Sequence, residues 1–89
     1  DDLRDIKLEG VFPNPVSDKT TVSIYLKQNS RLKMTLSGMD GKLLRSEDLN
    51  LNPGTNDIEI DLRNEATGVY HLSLTNNASK KIIRLVKVM

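Results

Sequence analysis

The feature that most constrains this chain is a period of two. From Thr21 to Lys27 the residues alternate, with Val22, Ile24 and Leu26 on one side and Thr21, Ser23, Tyr25 and Lys27 on the other. Leu32, Met34 and Leu36 alternate with Lys33, Thr35 and Ser37. Ile58, Ile60 and Leu62 alternate with Asp57, Glu59 and Asp61, and Tyr70, Leu72 and Leu74 with His71, Ser73 and Thr75. Successive side chains of a strand point to opposite faces, so each run reads as a strand with one buried and one wet face. The apolar members of these four runs are the expected core. No window sustains a helical period, which predicts no helix longer than a turn.

The punctuation between the runs agrees. Asp40-Gly41 stands between Leu32–Met39 and Lys42–Glu47 and predicts a two-residue hairpin. Asn52-Pro53-Gly54 reads as a turn, and Asn76-Asn77-Ala78-Ser79 separates Val69–Thr75 from Lys80–Val88. Pro13-Asn14-Pro15 cannot lie in a central strand, because proline lacks a ladder donor. It marks the boundary between an N-terminal strand, Ile6 to Val11, and the rest. About seven short strands with closely spaced turns predict an all-β fold, a seven-stranded antiparallel immunoglobulin-like β-sandwich. The immunoglobulin-like form is suggested by Ala66-Thr67-Gly68-Val69-Tyr70, which resembles a tyrosine corner, where a tyrosine at the start of a strand bonds back to upstream backbone. The expected organisation is one domain over residues 1–89, with residues 1–8 a linker or the start of the first strand.

Composition removes several classes of function. Thirteen basic against 12 acidic residues leave a net charge of +1, without the basic excess that nucleic-acid binding needs. The only aromatics are Phe12, Tyr25 and Tyr70, too few for a stacking platform for sugars or bases. With no cysteine there is neither a disulfide nor a thiolate metal site. No apolar run exceeds two residues, so no transmembrane segment is expected. The chain starts at Asp1 without a signal peptide, and is expected to be part of a longer precursor.

Catalytic and metal motifs are thin. His71, the single histidine, falls on the polar face of its strand and reads as a surface residue. Gly38-Met39-Asp40-Gly41-Lys42 has the wrong spacing for a phosphate loop, and no helix follows it. Asp57, Glu59 and Asp61 share one strand face about 7 Å apart, whereas calcium ligands converge from a loop, so a charged sheet face is the better reading. Asn77-Ala78-Ser79 matches a glycosylation sequon, but a turn accounts for it. No enzyme, metal or cofactor is expected.

The end of the chain is different. Lys80 to Met89 carries Lys80, Lys81, Arg84 and Lys87 and no acid. Ile82, Ile83, Leu85, Val86 and Val88 would point to both faces of any strand they form. Either the strand is covered on both faces or reset by a bulge, or an apolar and basic strip is left for a partner.

Four segments, in order, resemble the C-terminal sorting domain (type A) of proteins exported by the type IX secretion system. They are Val11-Phe12-Pro13-Asn14-Pro15-Val16-Ser17-Asp18-Lys19; Met39-Asp40-Gly41-Lys42-Leu43-Leu44; Ala66-Thr67-Gly68-Val69-Tyr70; and the basic-aliphatic ending Lys80-Lys81-Ile82-Ile83-Arg84-Leu85-Val86-Lys87. The match covers about residues 9 to 89, nearly the whole chain. The chain departs from the family in lacking the glycine often found before the last strand, and in extending to Met89.

The resemblance implies a non-catalytic sandwich that directs an attached N-terminal cargo from the periplasm across the outer membrane of Bacteroidetes, to the cell surface or the medium. It implies as partners the type IX translocon and a sortase-like cysteine protease that, in many members, removes the domain and anchors the cargo. It makes Lys80, Lys81, Ile82, Ile83, Arg84, Leu85, Val86 and Lys87 the candidate recognition residues. Pro13, Asn14, Pro15, Asp40, Gly41, Lys42, Gly68 and Tyr70 become structural motif residues. A terminal strand offers an edge that a receptor can extend, and its basic residues could select an acidic partner. The competing reading is an accessory binding or adhesion sandwich attached to a secreted enzyme.

Overall fold

The structure, a computed structural model, describes residues 5–89. Seven strands follow one another: β1 Ile6–Phe12, β2 Lys19–Leu26, β3 Ser30–Gly38, β4 Leu43–Leu51, β5 Gly54–Asp61, β6 Gly68–Thr75 and β7 Lys80–Lys87. They form two antiparallel sheets, one in the order β1-β2-β5 and the other β4-β3-β6-β7. No helix occurs among the described residues.

Alternation decides the facing of β2, β3, β5, β6 and β7, while a bulge between Leu8 and Gly10 resets β1. All the apolar residues expected inside from the four sequence runs are buried, from Val22 and Ile24 in β2 to Leu72 and Leu74 in β6. They meet across the two sheets in one core, which also takes Ile6, Val16, Ile83 and Leu85. Leu44, Leu49 and Leu51 of β4 pack against its margin. β4 runs beyond the Lys42–Glu47 stretch read from the sequence, because Leu49 and Leu51 continue to face inward opposite Leu32 and Ser30.

One turn differs from its sequence reading. The β3–β4 hairpin closes on three residues rather than two: Gly41 N–H donates to Gly38 O, and Gly38 N–H donates to Lys42 O. A two-residue loop of the favoured type would need positive φ at both Asp40 and Gly41, whereas only Gly41 has it, at 83°. The extra residue is absorbed by a register shift beyond Leu36. Asn52-Pro53-Gly54, read as a turn, joins β4 to β5, which lie in different sheets. It carries the chain across the edge of the sandwich.

Registers fix two opposite ends. Phe12, Lys19, Asp61, Gly38, Gly68 and Lys87 lie at one end, and Ile6, Leu26, Gly54, Thr75 and Lys80 at the other. The Pro13–Pro15 segment, the Asp40–Lys42 turn and the start of β6 therefore gather at the end opposite Ile6. The molecule is 38 Å long.

Candidate recognition surface on the last strand

β7 pairs with β6 in unbroken register, from Lys80 opposite Thr75 to Lys87 opposite Gly68. No bulge resets it, so its facing follows strict alternation. Ile83 and Leu85 enter the core, and Lys87 follows them on the inward register, only 7% exposed, its Nζ donating to Val88 O at 3.1 Å. Lys81 shares that register at the opposite end and is half-buried. Lys80, Ile82 and Arg84 are exposed on the outer face, with Val86 half-buried beside them. The eight residues expected to form one strip are thus divided by the pleat, and the four cations do not share a face. Neither a covering layer nor a bulge accounts for Ile82, which is 62% exposed.

The outer face around Ile82 is floored by small side chains. Ile82 stands opposite Ser73, which stands opposite Thr35; Arg84 stands opposite His71, which stands opposite Ser37. A shallow trough runs over Thr35, Ser37, His71 and Ser73, between Lys80 and Ile82. Among the described residues Lys80 and Arg84 make no ion pair. His71 is a surface residue of this trough, as its place in the alternation predicts.

The Pro-Asn-Pro segment meets this strand from the side. Asn14 Nδ2 donates to Arg84 O, and Val86 N–H donates to Asn14 Oδ1, both at 3.1 Å. Val16 then forms a one-residue parallel bridge: its N–H donates to Val86 O and its carbonyl accepts from Val88 N–H, both at 2.7 Å. Pro13 O accepts from the buried Thr20 hydroxyl at 2.7 Å, which ties the segment to the start of β2. Prolines suit this place because the segment needs few donors of its own. The sequence marked Pro13–Pro15 as a boundary; that Asn14 clasps a strand 70 residues away had no local signal.

The other motif residues support turns. Asp40 Oδ1 accepts from Lys42 N–H at 3.0 Å. Tyr70 is buried and its hydroxyl donates to Ala66 O, the bond a tyrosine corner requires. Gly68 precedes it at φ 156°, where a side chain would be strained.

The carboxylates of β5 are engaged one by one. Ser23 Oγ donates to Asp57 at 2.6 Å, and Lys19 lies 3.5 Å from Glu59. Arg63 grips Asp61 through Nε and Nη2, at 3.1 and 2.7 Å. The Arg63 side-chain hydrogen bond, helped by the Arg63 backbone N–H, holds the Asp61 carboxyl down to about 2. These groups serve their own neighbours and do not converge on a common point.

Two comparisons with known proteins bear on this geometry. The family model described as "Secretion system C-terminal sorting domain" matches residues 10–88. Among solved structures, dimeric latent PorU from Porphyromonas gingivalis is similar at TM-score 0.68 and 16% identity, over 93% of this chain and 9% of that one. At that identity the similarity concerns the fold, and this chain spans a small fraction of the length of PorU. No curated protein matches the chain significantly.

Proposed function

The chain belongs to the family of type IX secretion-system C-terminal sorting domains, and on that premise we propose that its address is the outer face of β7, read from Lys80, Ile82 and Arg84. As a member of that family it is a sorting signal and interacts with the secretion system, and such a signal implies export across the outer membrane, to the surface or the medium. The observation that carries the proposal is the pairing of an exposed Ile82 with two cations that have no ion-pair partner among the described residues. Apolar contact supplies affinity, and unpaired surface charge steers encounter with an acidic partner.

The finer reading follows from the same premise. Residues 1–89 act as one non-catalytic domain that follows an N-terminal cargo, passes through the periplasm with it, and meets the translocon and a sortase-like cysteine protease. Pro13, Asn14, Pro15, Asp40, Gly41, Lys42, Gly68 and Tyr70 keep the scaffold in shape, and Ile83, Leu85 and Lys87 hold β7 to it. Strand order supports an immunoglobulin-like description: β1, β2 and β5 face β4, β3, β6 and β7, and Tyr70 secures the corner between β5 and β6.

The test fuses residues 1–89 behind a periplasmic reporter in a type IX-competent bacterium. The unmodified fusion is expected at the cell surface. A Lys80→Gln, Arg84→Gln variant is expected to stay folded and accumulate in the periplasm; Lys81 and Lys87 are left alone because they lie on the inward register. A folded, unmodified fusion that remains periplasmic would overturn the sorting role. Export of the glutamine variant at the parental level would remove the address from this face.

A further inference from the structure

The two halves of the β7 edge are finished differently. Val86 N–H and C=O both point away from β6, since Asn14 and Val16 bond them from outside. In a strand the N–H and C=O of one residue point the same way and alternate along the chain, so Lys80, Ile82, Arg84 and Val86 all present their backbone groups to the outside. Arg84 O, Val86 and Val88 N–H are taken by Asn14 and Val16. Ile82 N–H and C=O, and Arg84 N–H, have no partner among the described residues, because β7 is the last strand of its sheet.

Among the described residues, the same half of the molecule is open between the sheets. At the Lys87 end, the seam between β1 and β7 is closed by Pro13–Val16, with Val16 fully buried. At the Lys80 end, Leu8 of β1 is 40% exposed although it sits on the inward register opposite Ile24. A groove runs from Ile6 and Leu8 to Lys81 along this stretch. The chain's own Val16 shows that the β7 edge accepts an extended segment lying parallel to it.

Resting on the sorting reading above, we propose that Lys80 to Arg84 receives an extended segment of the partner, added as a further strand of the β4-β3-β6-β7 sheet. The chemistry of the edge specifies the segment. Residues opposite Lys80, Ile82 and Arg84 would share one face, so a match is carboxylate, any residue, aliphatic, any residue, carboxylate. Its alternate side chains would cover Leu8. Asn14 caps the site at Arg84 and sets its length.

The test uses residues 1–89 and a synthetic peptide, acetyl-Thr-Glu-Thr-Val-Thr-Glu-Thr-amide. Binding is expected to shift the amide resonances of residues 80–84 and of Leu8, leave those around Gly68 unmoved, and weaken as salt rises. Ile82→Pro removes an outward N–H without breaking a bond to β6, and is expected to weaken binding about tenfold. Should that variant unfold, a peptide N-methylated on the amides of one edge puts the same question to the unmodified protein, and should bind about tenfold more weakly than its parent. No binding, or equal binding of the N-methylated peptide, overturns strand addition whatever the export result. Dimerisation that Ile82→Pro abolishes also overturns it, because the occupant would then be a second copy of this chain.

Discussion

The two sheets bury comparable apolar faces, but β5 in one and β7 in the other treat their outer charges in opposite ways. On the β1-β2-β5 sheet the carboxylates of β5 each have a local partner: Ser23 for Asp57, Lys19 for Glu59 and Arg63 for Asp61. On the β4-β3-β6-β7 sheet Lys80 and Arg84 flank an exposed isoleucine and pair with nothing among the described residues. Charge satisfied at home holds the surface in order, whereas charge left unmatched next to apolar surface is available to something else. The outer charges of β5 are therefore maintenance, and those of β7 are the place to look for recognition.

The contrast disappears if the shared layer is broken. Leu72→Ala empties a fully buried site in β6, and Ile60→Ala does the same in β5. Each is expected to cost about 2–5 kcal/mol, read by denaturant unfolding, whichever sheet carries it. A much smaller loss at either site would mean that its sheet is only loosely joined to the core.

A smaller effect is expected where the four-stranded sheet is cornered. Tyr70→Phe keeps the ring and removes the bond to Ala66 O. Unfolding should become easier by about 1 kcal/mol. A parental melting curve would show that the corner rests on ring burial alone.

The smallest effect bears most directly on the charges. Asp61 is held at about 2 in the folded chain against an ordinary 3.8. A depressed carboxylate contributes stability that is present above its unfolded value and is lost as the pH falls through its folded one. Stability should therefore decline slightly between pH 3.8 and about 2, and Asp61→Asn should flatten that part of the profile. Lys80→Gln with Arg84→Gln is expected to leave stability within about 0.5 kcal/mol of the parent. A marked destabilisation would place these two cations in the same maintenance role as Lys19 and Arg63.

Sequence alone reached the facing of β2, β3, β5 and β6, because alternation is a local property and the core only ratifies it. It did not reach sheet membership. Asn52-Pro53-Gly54 has the chemistry of a turn whether the chain doubles back or crosses over, and only packing decides between the two. Val16 was invisible for a related reason, since one buried residue between prolines and polar residues has no periodicity. The basic ending was legible as unusual, yet its division into inward Ile83, Leu85 and Lys87 and outward Lys80, Ile82 and Arg84 needed a register. Once β7 is aligned with β6 that division follows from the pleat.

The clasp that Asn14 and Val16 place on Arg84–Val88 has a consequence in time. The joined residues are 70 or more apart in sequence, and contacts of such separation form late because a long loop must close first. During synthesis the clasp cannot form until Arg84–Val88 have left the ribosome. A chain cut before β7 loses that strand and its fastening together. Emergence of residues 84–88 and closure of the fold thus become a single event, and a product that stops short of them carries no finished signal.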